Sequence, residues 1–543
     1  MDYDDVLKNV GQFGRFQKYI LALIAIPCMI SCWQSFLHAF IGFIPPHRCW
    51  IDNCDNLTSS YKEAWLNATT PYTRKDGVYM PDQCEHFVFN YTDYTDVCPP
   101  KHLKTTVKCS KYKFDDSEFS STIATEWNLY CDKQYLVSLA GSVNLAGGFV
   151  GSLLMGTIAD RYGRKTAILI CLGFLAIFGV SASVAPSVVF FMIARFCVEA
   201  MESSLYYVSF VLVMEFIGPD KRVLVSQIIQ LIYSFGEMTL AGIAYLVTDW
   251  SYLQLVTSVP ALLFLVFYWI LPESGRWLLA KGRTDDADKI IQKMMKWNKC
   301  LLKDETVQYG TVQSDSTPKP LESTSTSDTD TLFDSTKHSY SMIDLFRTPR
   351  LRLRTILLML CWFLNVLVYT GVTLGATSVA VNSAFLSFFL SGFVEIPANL
   401  LSIFTMSYFG RRITLCGSFA LTGVALISIQ FVPNSPDYSW VLLLLTLLGK
   451  FGSTVGNSVL YLFSAELFPT VLRNSGLGLC GFISTIASTI APQMQIFSRV
   501  AESLPYIVFG IASLIGGFAS LSQPETLKKN LPQTIEDAEN FGR

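Results

Sequence analysis

The chain has 543 residues, of which 51% are hydrophobic and only 15% are charged. Because about a quarter of the residues of a soluble domain are charged, this composition excludes an ordinary soluble protein and favours a chain that crosses a membrane many times. The net charge is −2, so the chain lacks the basic surplus that nucleic-acid binding requires.

Twelve apolar stretches are each close to the ~20 residues that an α-helix needs to cross a bilayer. The first is long and lacks a small-residue cleavage site, so we expect a membrane span there rather than a signal peptide. Numbered as spans 1 to 12, the stretches cover residues 17–41, 135–158, 166–185, 188–216, 223–247, 252–271, 353–373, 383–408, 413–431, 439–464, 473–496 and 503–522.

The long polar segment between spans 1 and 2 has the chemistry of an oxidising compartment. It contains six cysteines, namely Cys49, Cys54, Cys84, Cys98, Cys109 and Cys131. Their number predicts disulfides but leaves the pairing open, and the absence of C-x-x-C spacing disfavours a zinc site. Three N-glycosylation sequons begin at Asn56, Asn67 and Asn90. We therefore expect a disulfide-rich, glycosylated extracellular loop and no metal site.

Basic residues in the short loops predict the orientation of the spans. Lys and Arg cluster after spans 2, 4, 8 and 10, as at Arg161, Lys221, Arg411 and Arg473, whereas the short loops after spans 3, 5, 9 and 11 carry almost none. Because cytoplasmic loops are enriched in basic residues, the even-numbered loops and both termini are expected in the cytoplasm. The same rule puts the cysteine-rich loop outside, in agreement with its own chemistry.

These boundaries predict the domain organisation. The units are a cytoplasmic N-terminus (1–16), span 1 (17–41), the extracellular loop (42–134), spans 2–6 (135–271), a cytoplasmic linker (272–352), spans 7–12 (353–522) and a cytoplasmic C-terminus (523–543). The linker starts with a helical pattern over 276–299. Residues 304–340 are rich in Ser, Thr and Asp and are expected to be disordered. Phosphorylation there is one hypothesis, and a plain solvated linker is the favoured one.

A weak internal repeat relates the two sets of six spans. Residues 156–165 follow span 2 and read GTIADRYGRK, and residues 406–412 follow span 8 and read MSYFGRR. Glu273 lies in a Pro-Glu-Ser triplet after span 6, and Glu525 lies in a Pro-Glu-Thr triplet after span 12. Paired motifs at equivalent positions are typical of a duplicated transporter. We predict an all-α membrane protein of twelve transmembrane helices in two pseudo-symmetric six-helix halves.

The stretch at 156–165 resembles the cytoplasmic loop signature of the major facilitator superfamily, whose fold matches this prediction. In that superfamily the Asp and Arg of the signature are thought to latch the two halves through charge pairs that break when the halves rock. The resemblance implies gating or motif roles for Asp160, Arg161, Arg164, Arg195, Glu215, Glu273, Arg276, Arg411, Glu466 and Arg473.

A narrower resemblance covers nearly the whole chain and is to solute carrier family 22, the transporters of organic cations, carnitine and organic anions. Besides the cysteine-rich loop, it rests on VGQFGRFQ at 10–17, TEWNLYC at 125–131, EFIG at 215–218, PESGRWLL at 272–279, AELFPTVLRN at 465–474, PET at 524–526 and IEDAEN at 535–540. The chain resembles the cation and carnitine branches most.

Ionisable residues inside the spans are functional candidates, because a charge in a membrane is costly. The acidic ones are Glu199, Glu202, Glu237 and Glu395. We interpret Arg195 and Lys450 as lying near span ends or in motifs, so the interior is predicted to be biased towards negative charge and to favour a cation or a zwitterion. Pairing of Arg195 with Glu199, four residues away on one helix face, is the structural alternative.

The resemblance to cation carriers implies a substrate or gating role for Glu395. Glu202 and Glu237 do not match the cation carriers, so we interpret them as specific to this protein's substrate or as protonated and neutral. Trp362 and Tyr369 are seven residues apart on one helix face, and an aromatic ring attracts an ammonium by about 0.5–2 kcal/mol. The resemblance puts both against the ligand, with packing between helices as the alternative. It also implies cavity positions for Tyr206, Phe210, Gln230 and Tyr233.

One position departs from the family pattern. Thr485 stands where cation carriers typically have Asp and anion carriers have Arg, and Asn399 replaces a lysine of the anion carriers. These changes weaken the anion interpretation more than the cation interpretation. A neutral Thr485 suits a zwitterion, or a cation held by Glu395 and the aromatic residues alone.

We therefore predict a plasma-membrane, polyspecific organic cation transporter that works by alternating access. The alternative is a carrier of zwitterions such as carnitine or a betaine-like amine, with or without ion coupling. An organic anion exchanger and a non-transporting receptor are less favoured. The chain has no P-loop, G-x-S-x-G or H-E-x-x-H motif, so we expect no enzyme and no cofactor. The expected partners are the small solute and the lipid bilayer.

Overall fold

The structure is a computed structural model. It describes residues 3–52, 54–56, 59–61, 63, 65–75, 78–89, 102–299, 342–377, 383–433, 438–469, 472–499, 501, 503–527, 529 and 532–541. Cys98, Asn90 and the 304–340 stretch lie outside the described residues.

The described part of the chain is mostly helical. The helices of the first half are α1 (Tyr3–Val10), α2 (Arg15–Phe36), α3 (His38–Ile41), α4 (Leu66–Thr69), α5 (Ile123–Glu126), α6 (Tyr135–Tyr162), α7 (Arg164–Ser183), α8 (Val188–Phe216), α9 (Arg222–Leu246), α10 (Trp250–Ser258), α11 (Pro260–Leu263) and α12 (Phe267–Ile270). Those that follow are α13 (Gly275–Ala280), α14 (Thr284–Asn298), α15 (Pro349–Gly375), α16 (Ala384–Tyr408), α17 (Arg411–Ser428), α18 (Ser439–Leu467), α19 (Arg473–Met494), α20 (Leu504–Leu521) and α21 (Ile535–Asn540).

These helices confirm the predicted fold class. Each predicted span coincides with a helical segment whose ends lie within four residues of the predicted ends. Eleven segments among the described residues are long and apolar enough to cross a membrane. The twelfth, α8, is 29 residues long but carries several charged side chains. Span 6 is broken, because α10, α11 and α12 are separated by Pro260 and a 3₁₀ turn at Phe264–Val266.

The segment between α3 and α6 forms a small disulfide-bonded unit. Its strands are β1 (His47–Cys49), β2 (Tyr72–Lys75), β3 (Val78–Pro81), β4 (Glu85–Phe89), β5 (His102–Lys108) and β6 (Tyr112–Phe114), paired antiparallel as β1–β6, β2–β3 and β4–β5. Disulfides join Cys49 to Cys109 and Cys84 to Cys131, and Cys54 is also disulfide-bonded. The sequon residues Asn56 and Asn67 are exposed.

Small residues let the helices of each half approach closely. A Cβ added at Gly151 of α6 would lie 1.9 Å from the carbonyl oxygen of Ala200 on α8. In the second half, a Cβ at Gly452 of α18 would lie 2.3 Å from Oγ1 of Thr422 on α17. Because lipid gives no hydrophobic drive for helix association, such backbone approach is a main source of stability within a membrane bundle.

The two halves meet near the disulfide-bonded segment through aromatic side chains. The Phe40 ring of α3 lies 4.7 Å from the Phe388 ring and 5.9 Å from the Phe385 ring of α16. Phe36 of α2 lies 6.5 Å from Tyr369 of α15. These ring contacts join the two halves close to the predicted site residue Tyr369.

Candidate substrate-binding site

A buried lysine lies where the two halves meet. Lys450 Nζ on α18 is 2.9 Å from Glu395 Oε1 and 3.7 Å from Glu237 Oε2, and its side chain is 0% exposed. It also donates a hydrogen bond to Thr373 Oγ1. Removal of one partner would leave an uncompensated buried charge at a cost of about 3–5 kcal/mol, so the lysine and its acids depend on one another.

Glu395 is held from both halves. Tyr369 on α15 donates to Oε1 at 2.7 Å, and Ser234 on α9 donates to Oε2 at 2.6 Å. α9 belongs to the first half, whereas α15 and α16 belong to the second. The carboxylate is therefore a direct link between the halves.

Aromatic rings complete the surroundings of the Lys450 ammonium. Its Nζ is 3.8 Å from the centroid of the Tyr369 ring and 5.8 Å from that of the Phe36 ring. A cation over a ring gains about 0.5–2 kcal/mol, more when it is desolvated. A carboxylate on one side and ring faces on the other is chemistry that stabilises an ammonium group.

Glu237 is the less firmly held acid of this cluster. Its side chain is 0% exposed, and Lys450 is its ion-pair partner at the longer distance of 3.7 Å. Neither carboxylate oxygen accepts a hydrogen bond of normal geometry from the described residues. Glu237 therefore has the capacity to accept a further donor.

The prediction that Lys450 lies near a span end or in a motif is wrong. Lys450 lies in the interior of α18, and it neutralises part of the acidic charge that we expected in the interior. Its sequence position in the middle of span 10 was the available signal, because a charge near a helix centre in a membrane costs about 2.5–3.5 kcal/mol and needs a partner.

The predicted aromatic residues of the first half lie close to this cluster. The Tyr233 ring is 5.4 Å from the Tyr206 ring and 6.1 Å from the Phe36 ring, which also contacts Tyr369. Phe210 is half-buried one turn further along α8, against the core of the first half. The structure therefore brings Tyr233 and Tyr369 together against Phe36, with Tyr206 packed behind Tyr233.

A polar bridge lies on the other side of the cluster. Ser458 on α18 donates to Asn399 Oδ1 at 2.8 Å and contacts Gln230 Oε1 at 3.2 Å. Gln230 is on α9, so this bridge also connects the halves. Ser458, Phe36 and Ser234 were not singled out from the sequence, because serine and phenylalanine are too common in membrane helices to stand out.

Trp362 and Thr485 lie outside these contacts. Trp362 is buried, donates through Nε1 to Ser464 Oγ at 2.9 Å and packs against Tyr461 with 4.7 Å between ring centroids. Thr485 is half-buried and donates to the carbonyl of Gly481 on its own helix at 3.1 Å. Trp362 therefore makes the packing contacts that were its alternative interpretation.

Arg195 is fully buried in the first half and is hydrogen-bonded to amide groups. Its Nη1 donates to Gln34 Oε1 at 2.8 Å and to Gln254 Oε1 at 3.2 Å, and its Nη2 donates to the Gln34 carbonyl at 2.8 Å. Glu199 instead accepts from Asn144 Nδ2 at 3.1 Å. The guanidinium thus joins α2, α8 and α10 through glutamine side chains.

The signature turn of the first half is organised by Glu273. Its Oε1 accepts from the backbone N–H groups of Arg164 at 2.9 Å and Lys165 at 3.2 Å. Burial raises the pKa of Glu273, although these N–H groups favour its charged form. The Arg164 guanidinium is 3.1 Å from Asp160 and 3.1 Å from Glu215. Four predicted motif residues therefore form one network in the first half.

The second half has a matching network. Glu525 accepts from the backbone N–H groups of Arg411 at 2.9 Å and Arg412 at 3.0 Å. The Arg411 guanidinium is 2.9 Å from Glu466, which also accepts from Thr526. Burial opposes ionisation of Glu525, but backbone N–H donors outweigh it and lower the pKa of this carboxyl.

The remaining motif residues are more peripheral. Arg161 is exposed, with its guanidinium 5.3 Å from the Tyr162 ring centroid. Arg276 is also exposed and lies 6.0 Å from the Tyr3 ring of the N-terminal helix. Arg473 is half-buried at the first residue of α19.

A cavity of about 1360 Å³ lies between the disulfide-bonded segment and the helices of both halves. Its lining includes His47, Asp132, Gln430 and Tyr506. Among the described residues, none of the predicted substrate-binding side chains lines it. We therefore locate the candidate site at the Lys450 cluster rather than in this outer cavity.

Comparison with known proteins agrees with this fold. The sugar (and other) transporter family matches residues 83–537. An organic cation transporter protein of Drosophila melanogaster is 35% identical, with 100% of this chain and 95% of that protein covered. Rabbit (Oryctolagus cuniculus) solute carrier family 22 member 1 is 34% identical, with 99% and 96% covered. A β-alanine transporter of Drosophila melanogaster is 34% identical, with 99% and 89% covered.

The fold also matches that of a solved structure. The E. coli xylose transporter XylE, in a partially occluded inward-open conformation, superposes with a TM-score of 0.60 at 17% identity, covering 95% of this chain and 99% of that one. Helical architecture, buried charges and paired turns together define a multi-pass membrane transporter with the major facilitator fold. The chain belongs to the sugar (and other) transporter family, and within the major facilitator superfamily it belongs to solute carrier family 22.

Proposed function

We propose that this chain is a polyspecific transporter of organic cations in the plasma membrane and works by alternating access. In this proposal both termini and the 272–352 linker are cytoplasmic, and the 42–134 segment is extracellular. The substrate site consists of Glu395, Glu237 and Tyr369, with the aromatic residues around Phe36.

The observation that carries the proposal is the set of groups around the Lys450 ammonium. Lys450 Nζ lies between the Glu395 carboxylate and the Tyr369 ring, so this pocket is built to stabilise a cationic amine. A substrate cation would compete with the lysine for the same carboxylate and ring. The Drosophila relative named as an organic cation transporter supports the same solute class.

We propose alternating access because hydrogen bonds of the candidate site connect the two halves. Glu395 is hydrogen-bonded to Ser234 of the first half, and Ser458 contacts Gln230 of the first half. A substrate that binds the Glu395 carboxylate would replace these bonds. Its binding would therefore change the relative stability of the two arrangements of the halves.

A zwitterion carrier is the second candidate, and Lys450 itself favours it. A substrate with both an amine and a carboxylate could give its amine to Glu395 and its carboxylate to Lys450, which would leave neither side of the buried pair without a partner. The relative named as a β-alanine transporter handles a solute of this kind.

Uptake of labelled tetraethylammonium and β-alanine in cells that express the chain tests these proposals. Tetraethylammonium has no N–H donor, so its binding depends on the ring face. Tyr369→Phe is expected to retain uptake, whereas Tyr369→Leu is expected to raise KM by about 2- to 30-fold, the equivalent of one cation–π contact. Glu395→Gln is expected to reduce uptake at least about tenfold.

The controls separate transport from folding. Surface biotinylation measures the amount of each variant at the cell surface, and Glu126→Gln, on an exposed side chain, is the matched acid-to-amide control. Lys450→Met distinguishes the two candidates, because it is expected to abolish β-alanine uptake and to spare tetraethylammonium uptake. Unchanged tetraethylammonium KM in surface-expressed Glu395→Gln and Tyr369→Leu would disprove the cation site.

A further inference from the structure

A second pair of acids lies inside the first half, on α8. Glu199 and Glu202 are 4% and 2% exposed, lie three residues apart on one face of α8, and have their carboxyl groups within interaction range of each other. Two ionised carboxylates have no hydrogen to donate and repel each other. One shared proton removes this repulsion and supplies the hydrogen for a bond between them.

The neighbouring amide can serve the pair in either protonation state. Asn144 on α6 is fully buried and donates through Nδ2 to Glu199 Oε2 at 3.1 Å. Its Oδ1 accepts no hydrogen bond from the described residues. An amide donates to a carboxylate and accepts from a carboxylic acid, so Asn144 has a partner atom ready for each form.

Arg195 balances the charge of the pair without a direct hydrogen bond to it. Its guanidinium donors go to Gln34 and Gln254, and its charge acts on Glu199 and Glu202 through space. With one shared proton, the pair and Arg195 are together neutral. Loss of that proton leaves a net buried charge of −1 that Arg195 partly stabilises.

Among the described residues, the polar and ionisable groups near this pair are few. Apart from Asn144 they are Ser35, Cys28 and Cys32 on α2, Cys171 on α7, Arg195 and Tyr207 on α8, and Tyr233 on α9. Of these, Arg195 is the fixed charge, so a proton on the pair is not replaced by a nearby ammonium. Cys32 lies within electrostatic reach of Glu202 and also of Glu237, Glu395 and Lys450, which places the two clusters near one another.

We propose that Glu199 and Glu202 form a proton-binding site and that the carrier exchanges an organic cation for this proton. The exchange rests on the transport proposed above, and its reason is electrostatic. The buried charges of the two clusters are four acids and two bases, so the interior is negative when the site and the pair are empty. A substrate cation or a proton each reduces this negative potential, and each therefore weakens the binding of the other. Mutual antagonism at neighbouring sites is the thermodynamic basis of exchange.

The full chain reconstituted in liposomes, with a pH-sensitive dye inside, tests the exchange. Addition of tetraethylammonium outside is expected to raise the internal pH, with about one proton released per cation. A vesicle one pH unit more acidic inside is expected to accumulate the cation up to about tenfold, independently of membrane potential. In Glu202→Gln the ratio of protons to cations is expected to fall to near zero, whereas Glu126→Gln behaves as the wild type.

Infrared spectroscopy tests the proton site without transport. The purified wild type is expected to show a protonated-carboxyl band at neutral pH that disappears in Glu202→Gln and persists in Glu237→Gln, with size-exclusion profiles to confirm folding. If this band is absent from the wild type, the proton site is disproved, whatever the transport result. If tetraethylammonium moves without protons, the exchange is disproved but the proposed function stands. If no cation moves while the band is present, the proposed function fails and the proton site stands.

Discussion

The turn between α6 and α7 in the first half and the turn between α16 and α17 in the second half have closely similar geometry. Each contains a glycine of positive φ, Gly163 at 103° and Gly410 at 87°. In each, the N–H of the next residue donates at 2.9 Å to a glutamate more than one hundred residues away, Glu273 or Glu525. The backbone and the capping carboxylate are thus the repeated part.

The charges around the two turns differ. Asp160 precedes Gly163 by three residues and pairs with Arg164 at 3.1 Å, whereas Ser407 occupies the equivalent position before Gly410 and donates to the Ile403 carbonyl instead. The glycine and the capping glutamate, which the turn needs for folding, are therefore present in both halves, whereas the Asp160 charge is present only in the first. A feature that the fold does not require in one half is a candidate for a role in gating in the other.

Substitution of the two glycines is expected to have the largest effect on stability. Gly163 (φ 103°, ψ 156°) and Gly410 (φ 87°, ψ 171°) lie in a region that costs other residues about 1–3 kcal/mol. An added Cβ would also lie 2.2 Å from Glu273 Oε2 or 2.5 Å from Glu525 Oε2. Gly163→Ala and Gly410→Ala should each lower the free energy of unfolding by at least about 2 kcal/mol, measured by thermal unfolding in detergent.

Two other glycines are the controls for that comparison. A Cβ at Gly156 of α6 or Gly417 of α17 would meet no atom within 4 Å. Both lie in helices, where alanine is favoured over glycine by up to about 1 kcal/mol. Equal stability of Gly163→Ala and Gly156→Ala would show that the turn does not depend on its glycine.

The two capping carboxyls are expected to respond to pH in opposite directions. Because burial raises the pKa of Glu273 above the ordinary value of 4.5, its contribution is full below that value and is lost as the pH rises through the folded pKa. The pKa of Glu525 is lowered, so its contribution is present above 4.5 and is lost as the pH falls through the folded pKa.

Melting temperatures of Glu273→Gln and Glu525→Gln between pH 3.5 and 7 would measure this difference. The wild-type advantage over Glu273→Gln should shrink as the pH rises above about 4.5, and the advantage over Glu525→Gln should shrink as it falls below about 4.5. The exposed Glu536→Gln is the control. Parallel pH curves for the two variants would mean that the halves hold their caps in the same environment.

The fold could be predicted from the sequence because membrane spans are long, continuous signals. The α8 helix was predicted as a span despite its charged residues. Arg195, Glu199 and Glu202 are tolerated inside the membrane because each has a buried polar partner in the bundle. The break in span 6 was not predicted, although Pro260 marks it, because proline also occurs inside the continuous helix α16.

The site was only partly predictable. Glu395 and Tyr369 were singled out separately, one by burial cost and the other by ring chemistry, and the structure joins them by a hydrogen bond of 2.7 Å. The position of Lys450 in the middle of span 10 did indicate a buried charge, but its partners, Glu395 and Glu237, lie on other helices, and spacing along one chain carries no information about such contacts. Trp362 shares a helix face with Tyr369 but packs against Tyr461, because two turns along a helix move a side chain about 10 Å from its neighbour.

Removal of the Asp160 charge is expected to have the smallest effect on stability. The Asp160 side chain is 75% exposed and its pair with Arg164 bridges the turn between α6 and α7, so Asp160→Asn should cost no more than about 0.5 kcal/mol. Ser407→Asp, the reciprocal change, would add the missing charge beside Arg411 and should be equally mild. If Asp160 gates transport, Asp160→Asn will change the tetraethylammonium uptake rate at unchanged melting temperature, and Ser407→Asp will change it in the second half. Wild-type uptake in Asp160→Asn would instead reduce this carboxylate to a solvated neighbour of Arg164, and the two turns would then be equivalent in function as well as in geometry.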